Sequence, residues 1–235
     1  MSRPATPLES ALVETAAPPV TVRNPLDRWA GLGGILYVAL FIVGTILSYS
    51  GQPDTSSAPA KIIAYYKDSG HRDKIVAGWF VVIVAVFFFL WFLGAVRQAV
   101  RRLDGDSVLV SVTALGGAAY AACTLIAVSI NTAIKTMSDD TYRHTVYPGL
   151  VHAADDTGYV THSAGGAAIG AMIVAVSFAL LRARAVPTWL GWLSVLAGVV
   201  AVVSIFFFPW FVIAVWILIA SGLLLRAQGA QSGPR

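Results

Sequence analysis

Apolar positions in this chain gather into long unbroken runs and do not alternate with polar ones; the polar positions collect between the runs and at the two ends. Six runs are free of Asp, Glu, Lys and Arg: Trp29 to Ser50, Ile75 to Val96, Val108 to Ile130, Tyr159 to Leu181, Trp189 to Phe207 and Trp210 to Leu225. At 1.5 Å per residue the first four would be about 33 to 35 Å long, enough to cross a hydrocarbon core of about 30 Å. The stretch from Trp189 to Leu225 would be about 55 Å long as one helix, too long for a single crossing. Pro209 near its middle therefore predicts a break at Phe208-Pro209, with the proline opening the next helix where its missing N–H costs nothing. The pattern predicts an all-α, polytopic membrane protein, a six-transmembrane-helix bundle over residues 29–226.

The polar stretches divide the rest. Residues 1–28 carry five prolines and no apolar run before Trp29, which predicts a flexible tail and not a cleaved signal peptide; 227–235 reads as a second tail. Two long loops, 51–74 and 131–158, lie on one side. In the first, Ser57-Ala58-Pro59 offers a helix start and Ser69-Gly70 a stop. Between them Ile62, Ile63, Tyr65 and Tyr66 alternate with Lys61, Lys67 and Asp68, which suits a short helix lying flat in the membrane interface. In the second, Ser138-Asp139-Asp140 reads as a helix start and Pro148-Gly149 as a break, after which Leu150 onward runs into the fourth span.

Composition agrees with the pattern: of 235 residues 57% are hydrophobic and 12% charged, about half the charge of a soluble domain, and the mean hydropathy is +0.74. Basic residues orient the bundle. With the N-terminus inside, ten of the 16 Lys and Arg fall on the cytoplasmic side, all of them Arg. The loops outside hold the other six, so the expectation is an inner (cytoplasmic) membrane protein with both termini cytoplasmic. The net charge of +4 then needs no nucleic acid to explain it, since anionic lipid is the natural partner. The single cysteine, Cys123, has no disulfide or metal-binding companion in sequence.

Candidate chemistry concentrates at the outer end of the fourth span. Asp155, Tyr159 and His162 share one helix face at spacings of four and three, and His152 and Asp156 form a second pair at spacing four. His162 is the one ionisable residue of the His, Asp, Glu, Lys, Arg kind inside a run, and such a residue in a membrane is a functional candidate for a ligand or proton. The competing reading is structural: a stripe hydrogen-bonded at the wet mouth of the bundle, with the third span (Ser129, Asn131) as neighbour. A metal site would need His152 and Asp156 joined by His144 or Asp140, without a recognised ligand spacing, so neither metal nor cofactor is expected. His162-Ser163 cannot pair as base and nucleophile, because adjacent helical residues diverge by about 100°. Gly166 and Gly170 form a GxxxG, and Gly117 to Ala121 and Ala118 to Ala122 are small pairs in the third span; these suit close helix packing in the bundle or a homo-oligomer contact. Trp29, Trp189, Trp192, Tyr49, Tyr159 and Trp210 stand where interfacial anchors belong. Gly33-Gly34 and Gly165-Gly166 open the two halves alike, as inverted repeats of a transporter would.

The segments Ala64-Tyr65-Tyr66, Trp91-Phe92-Leu93-Gly94-Ala95-Val96-Arg97 and Pro187-Thr188-Trp189-Leu190-Gly191-Trp192-Leu193 resemble a group of six-helix bacterial membrane proteins similar to families catalogued as domains of unknown function. The resemblance runs over about Trp29 to Arg226 and implies a fold and a membrane location, with no activity and no catalytic residues. The functional expectation is a non-enzymatic membrane component, an accessory or scaffold subunit of a membrane complex. The alternative is a carrier or channel for a small solute, opening near His162.

Overall fold

The computed structural model describes residues 26–54, 56–136, 146–206 and 208–230. Seven helices account for nearly all of them: α1 (Leu26–Tyr49), α2 (Pro59–Lys67), α3 (Ser69–Asp104), α4 (Val108–Lys135), α5 (Pro148–Arg182), α6 (Thr188–Val202) and α7 (Pro209–Ala230). Among the described residues there is no strand.

Five helices, α1, α3, α4, α5 and α7, are long and apolar enough to cross a membrane. This differs from the six spans expected from the pattern. The fifth run is helical only through Val202, giving a helix of 15 residues, about 22 Å; the chain then turns, and α7 opens on Pro209. Length is redistributed in the opposite sense elsewhere. α3 has 36 residues and α5 has 35, each about 20 Å longer than a hydrocarbon core, because polar residues flanking the apolar runs continue the helix.

The five long helices and the shorter α6 alternate in direction, and glycines set the closest contacts. α3 returns along α1, where a Cβ on Gly44 would lie 2.9 Å from the Gly78 carbonyl oxygen. α5 returns along α4, and α6 turns back along α5, where a Cβ on Gly170 would lie 2.6 Å from the Gly198 carbonyl oxygen. Gly166 lies against Ala201 of α6 and Ser204 in the turn that follows it. No side chain fits at these crossings, so backbones approach and dispersion holds the helices where the hydrophobic effect is spent. α7 closes the bundle against α1, with Gly31 beside Leu225 and Gly34 beside Ser221. The core between them is apolar and aromatic: Phe89, Phe92, Ile169, Met172, Ile173 and Ile217 are fully buried.

The two ends of the bundle are unlike. At the end with the α3–α4 and α5–α6 turns, Arg101 pairs with Asp106 at 2.8 Å and Arg182 with Asp104 at 3.4 Å, while Trp189 and Trp192 are exposed beside them. At the other end the α6–α7 turn is recessed. The Tyr159 hydroxyl donates to the Ile205 carbonyl, and Ser204 Oγ donates to the Ser163 carbonyl at 2.9 Å. Roughly 16 Å of α5 stands beyond that turn. The ends of α1, α3, α4 and α5, with α2, thus build a polar cap on an apolar slab.

α2 starts where Ser57-Ala58-Pro59 predicts, with Ala58 as its N-cap and Pro59 as its first residue. Ser69-Gly70 is not a stop but the start of α3, since Asp68 ends α2 and accepts from the His71 N–H at 3.1 Å. Arg72 donates to the Tyr66 and Lys67 carbonyls at 3.1 and 2.7 Å, satisfying the exposed end of α2. Nor does α2 lie free on its flat face: Ile62 and Tyr66 are buried against Ile75, Val146 and Val151.

Candidate functional site

One face of α4 carries a line of buried polar groups. Tyr120, Thr124, Asn131 and Lys135 follow at spacings of four, seven and four, which keeps them on one stripe, and all four are buried. α5 meets this stripe with Gly158, whose missing side chain leaves room for the Asn131 amide: a Cβ there would lie 1.9 Å from Asn131 Nδ2. Asn131 Nδ2 donates to the Ala127 carbonyl at 3.2 Å, while its Oδ1 is buried without a partner.

In the cap, the stripe ends in a buried charge. Lys135 is 1% exposed. Its ammonium sits 2.6 Å from Asp155 Oδ1, donates to Gln52 Oε1 at 2.7 Å, and lies over the Tyr49 ring at 4.8 Å from the centroid. The Tyr66 hydroxyl donates to the same Gln52 oxygen at 3.1 Å, and Gln52 Nε2 donates to the Ser48 carbonyl. Three elements therefore converge on one ammonium, α1, the connector after it and α5, with α2 joined through Gln52. A lysine is almost never so buried unless paired, and here a carboxylate, an amide oxygen and a ring face surround it. Burial, and then the Asp155 carboxylate beside it, push the Tyr66 phenol well above its usual value, so the phenol remains a donor.

Deeper, the stripe meets His162. Its ring stacks on Trp210 at 4.0 Å between centroids and 17° between planes, and on Phe41 at 5.7 Å and 15°. Tyr120 lies at 6.0 Å, and Thr124 Oγ1 is 3.3 Å from Nδ1. The Tyr37 and Tyr120 hydroxyls bond each other beneath, with Phe89 against both rings.

The three residues that share a face of α5 are thus parted by their partners. Asp155 goes to Lys135, Tyr159 to the α6–α7 turn, and His162 to the aromatic stack. The face is common, but α4, the α6–α7 turn and α7 each take a different member of it. The third span is a neighbour of His162 through Thr124 and Tyr120; Ser129 instead accepts from Trp79 Nε1 at 3.2 Å. Trp210 is a stacking partner and not an exposed anchor. His152 is half-buried and Asp156 exposed, and neither joins the Lys135 pair. Among the described residues no three His, Cys, Asp or Glu side chains gather where they could hold a metal ion; His144 and Asp140 lie outside the described residues.

Sequence reasoning missed Lys135, Gln52, Tyr49 and Tyr66. One signal was present: continuing the α4 periodicity past Ile130 puts Lys135 one turn beyond Asn131 and on the face of Thr124. No family model matches this chain, and neither a curated protein nor a solved structure matches it.

Proposed function

We propose that the protein is a multi-pass membrane component, an accessory or scaffold subunit of a membrane complex, which crosses the bilayer six times with both termini cytoplasmic. One observation carries the reading. The place where a solute path would pass beneath the polar cap is filled by the stacked rings of Phe41, His162 and Trp210, with Tyr120, Tyr37 and Phe89 behind them. A histidine held between ring faces is packed as an aromatic. The Lys135 ammonium above it is satisfied by the protein's own groups, as in a structural staple.

The sixth crossing rests on the alternation of helix directions: α6, short as it is, runs opposite to α5 and α7. The arginine-rich end then faces the cytoplasm, where anionic lipid attracts it. The similarity to six-helix bacterial proteins belongs to the same proposal. In a Cys123→Ala background, Ser56→Cys should react with an impermeant thiol reagent in intact cells and Ser232→Cys only after lysis; reaction of Ser232→Cys in intact cells overturns the topology. For the role itself, liposomes containing the purified protein should pass protons and small ions no faster than empty ones. In native detergent extracts the protein should migrate in a heteromeric complex.

A second reading, a small-solute carrier with an outer opening near His162, draws on the buried polar stripe of α4 and the partnerless Asn131 Oδ1. Flux through liposomes that His162→Ala abolishes in a folded protein would establish it and displace the first.

A further inference from the structure

We propose that Lys135 anchors a binding site for a small carboxylate, a site that the protein's own Asp155 side chain fills as a stand-in. The inference goes beyond the accessory role and does not depend on it. It starts from an inequality between two charges 2.6 Å apart: the Lys135 side chain is 1% exposed and the Asp155 side chain 27%. The ammonium has no route to water. It is enclosed by Gln52, the Tyr49 ring and the helix that carries it, and a buried ammonium must keep a counter-ion. The carboxylate stands in the third turn of α5, partly in water already, and a change of rotamer can take it the rest of the way. Of the two charges only the anion is exchangeable.

The surroundings suit an incoming anion of the same kind. Beyond its Cα, Asp155 contributes a methylene and a carboxylate, which is the shape of acetate. Charge-assisted bonding to Lys135 supplies affinity. The Tyr49 ring supplies an apolar wall, and the Tyr66 hydroxyl donates to the same Gln52 oxygen that the ammonium meets. Gln52 and Tyr66 both belong to the connector between α1 and α3. That connector leaves α1 through Gly51 at φ +80°, a conformation open to glycine, so the segment over the ammonium begins at a residue able to turn. An occupant would bind the cation and release Asp155 to solvent, and its affinity for the protein would be the difference between the two carboxylates.

The test is chemical rescue in the full-length protein purified in detergent. Asp155→Ala leaves the ammonium without its partner and a space of acetate size beside it. The thermal midpoint of this variant should rise saturably with acetate or formate, by about 3 to 6 °C near saturation, and should not rise with chloride at equal ionic strength. The wild type, whose site is filled, should move less, and Lys135→Met/Asp155→Ala should not respond. No carboxylate-specific rise in Asp155→Ala, or an equal rise in the double variant, overturns the proposal. Should Asp155→Ala not fold, Asp155→Asn keeps the side-chain shape without the charge and is titrated in the same way with the same two outcomes.

Discussion

The Lys135 cluster and the His162 stack are both polar sites on the α4–α5 seam, yet they are built by opposite means. At Lys135 a full charge is buried and everything around it answers that charge: Asp155, Gln52 and the face of Tyr49. At His162 the polar content is slight, one contact of 3.3 Å to Thr124, and the surroundings are rings. The first site is specified by electrostatics and tolerates no unpaired member. The second is specified by shape, and any flat ring of the right size satisfies most of it. Depth in the bundle is therefore a poor guide to which ionisable group carries electrostatic weight. The deeper histidine is surrounded by rings, and the lysine nearer the end is the buried charge that its neighbours answer.

The largest effect should come from removing one charge in the cap. Asp155→Ala leaves a fully buried ammonium unpaired and should cost about 3 to 5 kcal/mol. Lys135→Met leaves a carboxylate that already reaches water, and its stem is replaced by apolar atoms of similar length, so the loss should be about 1 to 2 kcal/mol. Lys135→Met/Asp155→Leu should recover most of the loss, as buried pairs replaced by apolar residues often do. Thermal unfolding of the four proteins in one detergent measures this. Equal costs for the two single changes would mean that the asymmetry in exposure has no energetic counterpart.

Between the two sites stands Gly158. An added methyl meets the Asn131 amide at 1.9 Å, and the amide has no free space on a face packed by α5, so Gly158→Ala should cost about 2 kcal/mol. The disturbance should travel one turn up α4 to Lys135. Asn131→Ala in the Gly158→Ala background should restore part of the stability, and additivity of the two changes would show that they do not touch.

How much of this was legible beforehand follows from what each residue's partner is. The helices were readable because an apolar run of spanning length needs no partner beyond lipid to be a helix. The start of α5 was readable too, from Pro148-Gly149; the start of α3 was not, because Ser69–Lys74 is polar and is held in α3 by the cap, through Asp68 and Arg72. α6 was overestimated for the converse reason: the residues after Val202 are apolar enough to span, but Val203 to Phe206 turn and are secured by Tyr159 and Ser204. That Asp155, Tyr159 and His162 share a face of α5 follows from spacing alone, since a face is a local property. Which neighbour each residue meets is a tertiary property, and Lys135 went unnoticed among the loop charges because its burial is made by Gln52, 83 residues away in sequence.

A smaller effect tests the outer wall of the cap. Tyr66→Phe removes one hydrogen bond to Gln52 and should cost about 1 kcal/mol. The Tyr66 phenol is raised above its ordinary value of 10.0 by burial first and Asp155 second, so its contribution has a defined pH dependence. Folding favours the protonated form, the contribution is complete below pH 10.0, and it is lost as the pH rises through the higher folded value. Wild type and Tyr66→Phe should therefore differ most at neutral pH and converge in strong alkali. A gap that widens with alkali would reverse the sign and place the phenol in a site that favours its anion.

The smallest effect should come from the residue that stands out most in the sequence. His162→Phe keeps a flat ring between Trp210 and Phe41 and loses only the long contact to Thr124, whose hydroxyl can turn to the carbonyl one turn back on its own helix. Stability should change by less than about 1 kcal/mol. His162→Ala, by contrast, empties the space between two rings and should cost several times more, so the pair of variants separates loss of a ring from loss of an imidazole. If His162→Phe destabilises the protein as much as His162→Ala does, the imidazole nitrogens matter and the site is electrostatic after all, like the one at Lys135. If His162→Phe folds with the wild-type midpoint but loses a flux or growth phenotype that the wild type supports, the ring is not packing, and the carrier reading takes the place of the accessory one. A neutral His162→Phe beside a damaging Asp155→Ala is the result that the two geometries require.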